Sequence, residues 1–377
     1  GTATPSPCSR CCVTCAGKGS VGGFDHRVVR LLAALRKRRM DAYLCVRLSN
    51  IRYLTGFTGS NAALVVSAGG TVLFTDGRYT EQARSEVRGA DVVVTPDPWN
   101  AVARRIRALR ARRVGFESRH LSVDSFRAVS RGRTDRFVPV PDLVATIRMR
   151  KEPGEILAME RATAIATASL LSALASGVRG KTERDVAADM AREMVRRGAE
   201  GVSFPPIVAD GPRSAMPHAT PAGEAIAGDG PLVLDFGARW NGYCSDETVT
   251  ILPRRPRSPL GKAFDAVRRA QAAGISSVRP GEPCRGVDAR VRDSLDRSGY
   301  LKYFVHSTGH GVGLDVHERP SISPRSRERL EEGMVVTVEP GVYLPGIGGI
   351  RLEDTVKVTG SGCERITFLP KTHTPLV

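Results

Sequence analysis

Apolar residues in the first third of the chain recur at helical spacing in some segments and form short continuous runs in others. Between His26 and Met40, valines and leucines alternate with arginines in a pattern typical of an amphipathic helix. Thr80–Val87 has the same helical character. Strands are predicted for the apolar runs at 42–47, 62–67, 71–75 and 92–95. This alternation predicts an α/β domain over residues 25–145.

The remainder of the chain has a different order of elements. Residues 146–153 are predicted to be a linker, and a long alanine-rich helix should follow from Glu155 to about Ser176. Thr182, with Asp185 three residues later, predicts the capped start of another helix. Further segments are predicted as strand-rich (199–252 and 333–368) or helical (260–278 and 287–298). We therefore expect an α+β domain over residues 150–370.

Length and composition narrow the class of protein. The chain has 377 residues, 41% hydrophobic and 25% charged, which indicates a globular protein of two domains. No apolar run approaches the ~20 residues that a bilayer span requires, and residues 1–24 lack the apolar segment of a secretory signal. We therefore expect a cytoplasmic protein that does not bind membranes.

The net charge of +17 comes mainly from arginine, with 48 Arg and 8 Lys. Such a charge could attract nucleic acid, but aromatic residues do not interleave with the basic ones as a base-stacking surface would require. Arginine enrichment of the surface is the alternative that we favour. We expect no specific nucleic-acid partner.

The cysteines fall into two groups. Cys8, Cys11, Cys12 and Cys15 are too close together for an ordinary two-knuckle zinc site, and residues 1–24 are predicted to be a disordered extension or a remnant of cloning. The dispersed cysteines are expected to be reduced thiols in the core: Cys45, Cys244, Cys284 and Cys363.

Two aspartates are predicted to lie side by side. Asp235 ends an apolar run and Asp246 precedes another, with Asn241-Gly242 between them as a hairpin turn. Two adjacent carboxylates repel each other unless a cation lies between them. A pair of unrelated surface aspartates at turns is the alternative for this segment alone.

Histidines and further carboxylates follow in the same pattern. His306, His310 and His317 lie within twelve residues, and glycines frame His310 so that other atoms can approach it closely. Glu339 and Glu353 each accompany an apolar strand segment. Solvated edge strands would explain either glutamate alone, but four carboxylates and one histidine together favour a metal site. This ligand set suits Mn²⁺, with Co²⁺ or Zn²⁺ as alternatives, and two such ions ~3.5–4 Å apart can drive hydrolysis.

Longer motifs resemble the pita-bread metallopeptidases, in the branch of aminopeptidase P and prolidase. They are LDFGARWNGYCSDET, HSTGHGVGLDVHERP and VEPGVYLPGIGGIRLED, while NIRYLTGFTGSNAAL and LFTDGRYTEQA resemble the creatinase-like N-terminal domain of that family. The resemblance covers nearly all of residues 26–368. It implies a creatinase-like α/β domain followed by an α+β pita-bread catalytic domain, and a homodimer.

The resemblance also implies roles for individual residues. Asp235 would chelate one metal ion, while Asp246 and Glu353 would bridge two. His310 and Glu339 would complete the second ion, and Glu339 would also take a proton from the attacking water. His218 and His317 would bind the substrate and stabilise the oxyanion or the leaving nitrogen. His306 matches a further active-site histidine of the proline-specific members, and Arg351 matches an arginine near the metal ions.

Two positions depart from the family pattern without loss of a metal ligand, and the second bears on specificity. Val249 stands where an arginine is usual, and Ser321 follows Pro320 where prolidases often carry an arginine for the substrate carboxylate. We therefore predict an aminopeptidase that cleaves between an N-terminal residue and a following proline. A prolidase, which cleaves only Xaa-Pro dipeptides, and a non-catalytic binding protein are the alternatives.

Overall fold

The computed structural model describes residues 23–372 apart from 142, 255 and 257. The four N-terminal cysteines and nearly all of the extension predicted for residues 1–24 lie outside the described residues. Cys45, Cys244 and Cys284 are buried free thiols as predicted, and Cys363 is partly exposed.

The N-terminal part of the described chain builds one mixed sheet with helices around it. The elements are α1 (Phe24–Lys37), β1 (Ala42–Cys45), α2 (Leu48–Thr55), β2 (Ala63–Ser67), β3 (Gly70–Thr75), α3 (Thr80–Glu86), β4 (Asp91–Val94), α4 (Pro98–Ala108), β5 (Val114–Phe116), α5 (Val123–Ser130), β6 (Phe137–Pro139) and α6 (Leu143–Arg148). The strand order in the sheet is β4-β3-β2-β1-β5-β6, in which the pairs β1–β2 and β2–β3 are antiparallel and the other neighbours are parallel.

Side chains of β1 alternate between two apolar cores because successive residues of a strand point to opposite faces. Tyr43 and Cys45 pack with residues of α1, α2 and α6, whereas Ala42 and Leu44 pack with residues of α4 and α5. Both faces of the sheet are therefore covered, which explains the continuous apolar runs in the sequence.

The linker predicted for residues 146–153 is wrong in part. Helix α6 continues to Arg148, whose side chain is buried, and Arg150 pairs with Met334 as an isolated β-bridge. Proline at 153 looked like a loop residue, but it occupies the first turn of the next helix, where its missing N–H costs nothing. Ordered backbone therefore joins the two halves of the protein.

The C-terminal part contains two groups of strands, each covered by a pair of helices. The elements are α7 (Pro153–Ala175), α8 (Glu183–Arg196), β7 (Gly201–Val202), β8 (Ile207–Asp210), β9 (Leu232–Phe236), β10 (Ala238–Trp240), β11 (Tyr243–Cys244), β12 (Glu247–Ile251), α9 (Ser258–Ser277), α10 (Cys284–Arg297), β13 (Gly309–Gly311), β14 (Glu318–Ile322), β15 (Val335–Val338), β16 (Gly341–Leu344), β17 (Gly348–Arg351), β18 (Asp354–Val358) and β19 (Cys363–Arg365). Thr182 caps α8 with Asp185, as predicted.

Each group of strands forms a separate apolar core with its own pair of helices. Helices α7 and α8 pack on the β12-β9-β8 sheet, and α9 and α10 pack on the β14-β13-β15-β18-β19 sheet and the β16–β17 hairpin. By length and hydropathy α7 could span a bilayer, but 56% of its most apolar window is buried inside the protein. Its composition is therefore explained by its place in the core.

The predicted hairpin forms around Asn241 and Gly242, which have φ values of 48° and 82°. Two positive φ angles characterise the tight turn that matches the twist of antiparallel strands. The turn joins β10 to β11, and the same chain reversal pairs β9 with β12 so that Asp235 lies opposite Thr248. At Gly237, between β9 and β10, a Cβ atom would lie 1.9 Å from the Ser245 carbonyl oxygen. Only glycine fits at position 237, because the backbone at Ser245 passes so close to it. This close approach places Asp246 beside Asp235.

Candidate metal centre and catalytic cavity

Five side chains that are far apart in the sequence meet at the lining of one cavity. Asp235 lies in β9, Asp246 immediately before β12, His310 in β13, Glu339 immediately after β15, and Glu353 between β17 and β18. One potential ligand atom from each of Asp246, His310 and Glu353 lies within 4.8 Å of the others. We call these five residues the acidic cluster.

The acidic cluster carries buried oxygen atoms that the protein itself does not satisfy. Asp235 Oδ1 and Glu353 Oε1 have no hydrogen-bond partner among the described residues. Burial and the neighbouring carboxylates raise the pKa values of Asp246 and Glu353 well above their usual values. Unpartnered, mutually repelling carboxylates fit divalent cations, which would supply both the missing ligand contacts and the missing charge.

His310 presents one ring nitrogen to the acidic cluster. Its Nδ1 lies 3.1 Å from the carbonyl oxygen of Gly311, which can only accept, so Nδ1 carries a proton. Nε2 then faces the carboxylates, 3.2 Å from Glu339 Oε1 and 3.6 Å from Asp246 Oδ2. Burial opposes a charge on this ring, but the hydrogen bond and charge of Glu339 outweigh burial and raise the pKa of His310. A cation bound at Nε2 would displace the proton from that nitrogen, and the neutral imidazole is then oriented as a metal ligand.

Glu339 differs from the other carboxylates of the cluster. Burial opposes its charge, but the hydrogen bond and charge of His310 outweigh burial and lower the pKa of Glu339 to about 2. Thr337 Oγ1 also donates to Glu339 Oε1 at 3.2 Å. Glu339 is therefore ionised at neutral pH and able to accept a proton or bind a cation.

Arg351 fixes the orientation of Asp235. Its Nη2 donates to Asp235 Oδ2 at 2.6 Å, which leaves Oδ1 as the unpartnered atom. The guanidinium also donates to the carbonyl of Pro217 at 2.9 Å, next to His218 in the chain. A planar side chain with five donors can hold both groups at once.

A hydrogen-bonded chain runs from Arg351 to His306 through Tyr343. Arg351 Nη1 donates to Tyr343 OH at 2.9 Å, and that hydroxyl lies 2.9 Å from His306 Nε2. His306 Nδ1 lies 2.8 Å from the Ser307 carbonyl, so it carries the proton and Tyr343 donates to Nε2. Tyr343 was not among the residues predicted from the sequence, although it lies inside the motif that contains Glu339 and Arg351.

The cavity has a volume of about 510 Å³ and is lined on one side by the acidic cluster. His218, His306 and His317 also line it, and the rings of His317 and His310 are 4.3 Å apart between centroids. The lining also contains apolar residues, namely Phe204, Pro205, Pro206, Ile207 and Val316. The cavity can hold a small ligand with an apolar ring and a polar bond next to the carboxylates.

The structure brings together every site residue that the sequence predicted. Asp235, Asp246, His310, Glu339 and Glu353 share the lining with His218, His306, His317 and Arg351. Their individual roles stay predictions.

The two departures from the family pattern have clear structural settings. Val249 is buried in the apolar core that includes residues of α7 and α8. Ser321 lines the cavity, whereas the neighbouring Arg319 hydrogen-bonds to Glu328 and to Thr146 Oγ1. Arg351 is the only arginine among the described residues that line the cavity, and it forms a salt bridge with Asp235.

Comparisons with known proteins agree with this geometry. Residues 158–360 match the model of the family "Metallopeptidase family M24", and residues 27–150 match the model of the "Creatinase/Prolidase N-terminal domain". The chain is 32% identical to the Xaa-Pro dipeptidase of Pyrococcus horikoshii over 345 residues, which are 91% of this chain and 97% of the relative.

Two solved structures are similar over almost their whole length. The Xaa-Pro dipeptidase from Bacillus anthracis has a TM-score of 0.89 at 37% identity, covering 93% of this chain and 99% of that one. The X-Pro aminopeptidase from Thermotoga maritima has a TM-score of 0.85 at 34% identity, covering 92% and 98%. The expectation of a creatinase-like domain followed by a pita-bread catalytic domain is confirmed.

Proposed function

The chain belongs to metallopeptidase family M24 and carries a creatinase/prolidase N-terminal domain, and on this premise we propose that it hydrolyses Xaa-Pro dipeptides. The observation that carries the proposal is the buried acidic cluster with two unpartnered oxygens, Asp235 Oδ1 and Glu353 Oε1, in the lining of a small cavity. A protein that only binds a partner has no need to keep such a costly group of charges.

We assign the binding of two divalent ions to the acidic cluster. Asp235 would chelate one ion, Asp246 and Glu353 would bridge both, and His310 and Glu339 would complete the second site. When bound, the ions would polarise the scissile carbonyl and activate a water molecule. The oxygen-rich ligand set favours Mn²⁺, with Co²⁺ and Zn²⁺ as alternatives.

The remaining residues act on the substrate. Glu339, which is ionised at neutral pH, accepts a proton from the attacking water. His317 and His218 donate hydrogen bonds to the developing oxyanion or to the leaving proline nitrogen. His306, held by Tyr343 and Ser307, forms part of the wall that receives the proline ring, and Arg351 keeps Asp235 oriented.

Two observations bear on the length of the substrate. The dipeptidases from Pyrococcus horikoshii and Bacillus anthracis support a preference for dipeptides. An aminopeptidase acting on longer peptides is the second candidate, because Ser321 offers no charge for a dipeptide carboxylate and Arg319 is engaged by Glu328. The Thermotoga maritima aminopeptidase is a relative of this second kind.

A peptide length series separates these candidates. The purified protein, loaded in turn with Mn²⁺, Co²⁺ and Zn²⁺, is given Xaa-Pro, Xaa-Pro-Xaa and, as a control, Xaa-Ala. We expect the highest kcat/KM for Xaa-Pro. If Xaa-Pro-Xaa is cleaved as fast as Xaa-Pro or faster, the protein is an aminopeptidase and the dipeptidase proposal is wrong. If none of the three metals supports hydrolysis of either peptide, both proposals are refuted.

Two further expectations accompany this proposal. We propose that the protein acts in the cytoplasm as a homodimer and binds neither membranes nor specific nucleic acid. Light scattering of the metal-loaded protein measures its mass, and a monomer would contradict the dimer. Titration with duplex DNA at low and moderate salt tests whether the arginine-rich surface gives more than non-specific attraction.

A further inference from the structure

Arg148, at the end of α6, lies in the seam between the two domains and contacts both of them. Its side chain is 2% exposed. Nη1 donates to Asn50 Oδ1 at 2.7 Å and to Ser49 Oγ at 3.0 Å, both in α2 of the N-terminal domain. Nη2 donates to Asp315 Oδ2 at 2.7 Å and also to Glu318. One buried guanidinium thus links α2 to a segment of the catalytic domain.

That segment carries His317. Asp315 lies two residues before His317 and Glu318 immediately after it. Glu318 folds back over the turn, because a Cβ atom at Gly313 would lie 2.5 Å from Glu318 Oε1. The two carboxylates held by Arg148 therefore bracket the histidine that faces the acidic cluster.

Other basic residues complete the arrangement. Lys151 Nζ lies 2.7 Å from Glu318 Oε1, and Arg47 Nη2 lies 3.1 Å from Asp315 Oδ2. We call Arg47, Arg148, Lys151, Asp315 and Glu318 the interdomain clamp. Its charges are paired within the protein, so it can hold a fixed geometry without a bound ion.

The ring of His317 depends on this segment for its position. Among the described residues no hydrogen bond holds the ring, and its recorded contact is with the ring of His310. The position of the imidazole is then set by the backbone of residues 312–318. That backbone is fixed by Asp315 and Glu318 and by the Gly313 carbonyl, which accepts from Cys244 N at 2.8 Å.

We propose that Arg148 is a positioning residue for His317, through which the N-terminal domain sets the geometry of the catalytic cavity. One nitrogen of the guanidinium contacts both Asp315 and Glu318 while the other contacts α2, and the single ammonium nitrogen of a lysine cannot divide its contacts in this way. The role assigned to His317 rests on the proposed function, but the structural link between Arg148 and residues 312–318 does not.

Arg27 offers a matched control. It is an equally buried arginine of the same seam, with a side chain 2% exposed and Nη2 2.7 Å from Glu152 Oε2. It also donates to the Tyr53 carbonyl, and its partners lie outside the segment with His317. Arg27→Met therefore removes a buried interdomain arginine without touching the interdomain clamp.

The first measurement is hydrogen exchange of residues 312–318, followed by mass spectrometry. We expect faster exchange of this segment in Arg148→Met than in the wild type and in Arg27→Met. Asp315→Asn weakens the same contact from the other side and serves if Arg148→Met does not fold. If residues 312–318 exchange at the same rate in the clamp variant (Arg148→Met, or Asp315→Asn in its place) as in Arg27→Met, the proposal is overturned, whatever the activity of the protein.

The second measurement is steady-state hydrolysis by metal-loaded protein of equal metal content. Arg148→Met should lower kcat between about 10-fold and about 100-fold with little change in KM, since misplacement by about 1 Å has effects of this size. Arg27→Met should keep the wild-type kcat, and Arg148→Lys should recover part of the loss.

A double substitution identifies the route of the effect. If Arg148 acts through His317, then Arg148→Met combined with His317→Ala should be no slower than His317→Ala alone. If the losses of kcat in the two single variants instead multiply in the double variant, Arg148 has a merely structural role. Equal losses of kcat in Arg27→Met and Arg148→Met would show the same. Inactivity of the wild type would refute the proposed function and leave hydrogen exchange to decide the proposal about Arg148.

Discussion

Two groups of buried or partly buried charged side chains meet at the segment that carries His317, and they are neutralised in different ways. The interdomain clamp pairs three basic residues with Asp315 and Glu318. The acidic cluster has four carboxylates beside one histidine, and two of its oxygens have no partner among the described residues. The first group is complete within the protein, and the second requires cations from solution.

Two aspartates show the difference most clearly, since both start from the ordinary pKa of 3.8. Burial raises the pKa of Asp246 and the neighbouring carboxylates raise it further. Burial also opposes the charge of Asp315, but Arg148 and Arg47 outweigh it and lower the pKa. Burial alone therefore does not decide the state of a carboxylate, whereas the sign of the nearest charges does.

The largest effect is expected from Asp246→Asn. This change removes one of the carboxylates that we propose as metal ligands, so we expect bound metal to be lost and kcat/KM for Xaa-Pro to fall at least about 1,000-fold, or about 4 kcal/mol of transition-state stabilisation. Metal analysis and steady-state hydrolysis measure both losses.

A buried carboxylate outside the cavity provides the control for that change. Glu117 is fully buried in the N-terminal domain and accepts hydrogen bonds from Val46 N, Arg47 N and Asn50 Nδ2. Glu117→Gln should lower stability but leave metal content intact. Full activity of Asp246→Asn would place the catalytic site elsewhere.

A smaller effect is expected in the interdomain clamp. Arg148→Met leaves Asp315 paired only with Arg47 and Glu318 only with Lys151, and loss of one partner of a buried pair costs up to about 3–5 kcal/mol. Asp315→Asn should destabilise the wild type but cost less stability in the Arg148→Met background, because the carboxylate has already lost one of its two basic partners there. Urea unfolding of the four proteins gives the coupling energy, and additive losses would show that the clamp is not a unit.

The smallest effect is a pH dependence. The folded protein lowers the pKa of Asp315 below 3.8, so its contribution to stability is present at neutral pH and is lost as the pH falls through the folded pKa. The difference in Tm between wild type and Asp315→Asn should therefore be largest at pH about 7 and vanish at the acidic end. A difference that grows on acidification would contradict the pairing with Arg148.

Local patterns were sufficient for most of the elements. Apolar periodicity predicted α1, β2, β3, α7 and α10, because the spacing of buried residues depends only on the geometry of a helix or a strand. The Asn241-Gly242 turn identified the hairpin beside Asp235 for the same reason. The pattern failed at residues 146–153, where a proline and a glycine suggested a linker but began α7 instead.

The sequence by itself determined the chemistry of the site, since only a few residue types bind divalent cations, and short motifs with glycines preserve their local setting. Tertiary structure decided which charges become partners. Arg148 reaches Glu318 across 170 positions of the chain, and Tyr343 links Arg351 to His306 although it carries no formal charge. Periodicity predicts which face of an element is buried but not what lies opposite that face. Electrostatic energy depends on distance in space, so only the fold could separate the completed interdomain clamp from the acidic cluster that requires metal.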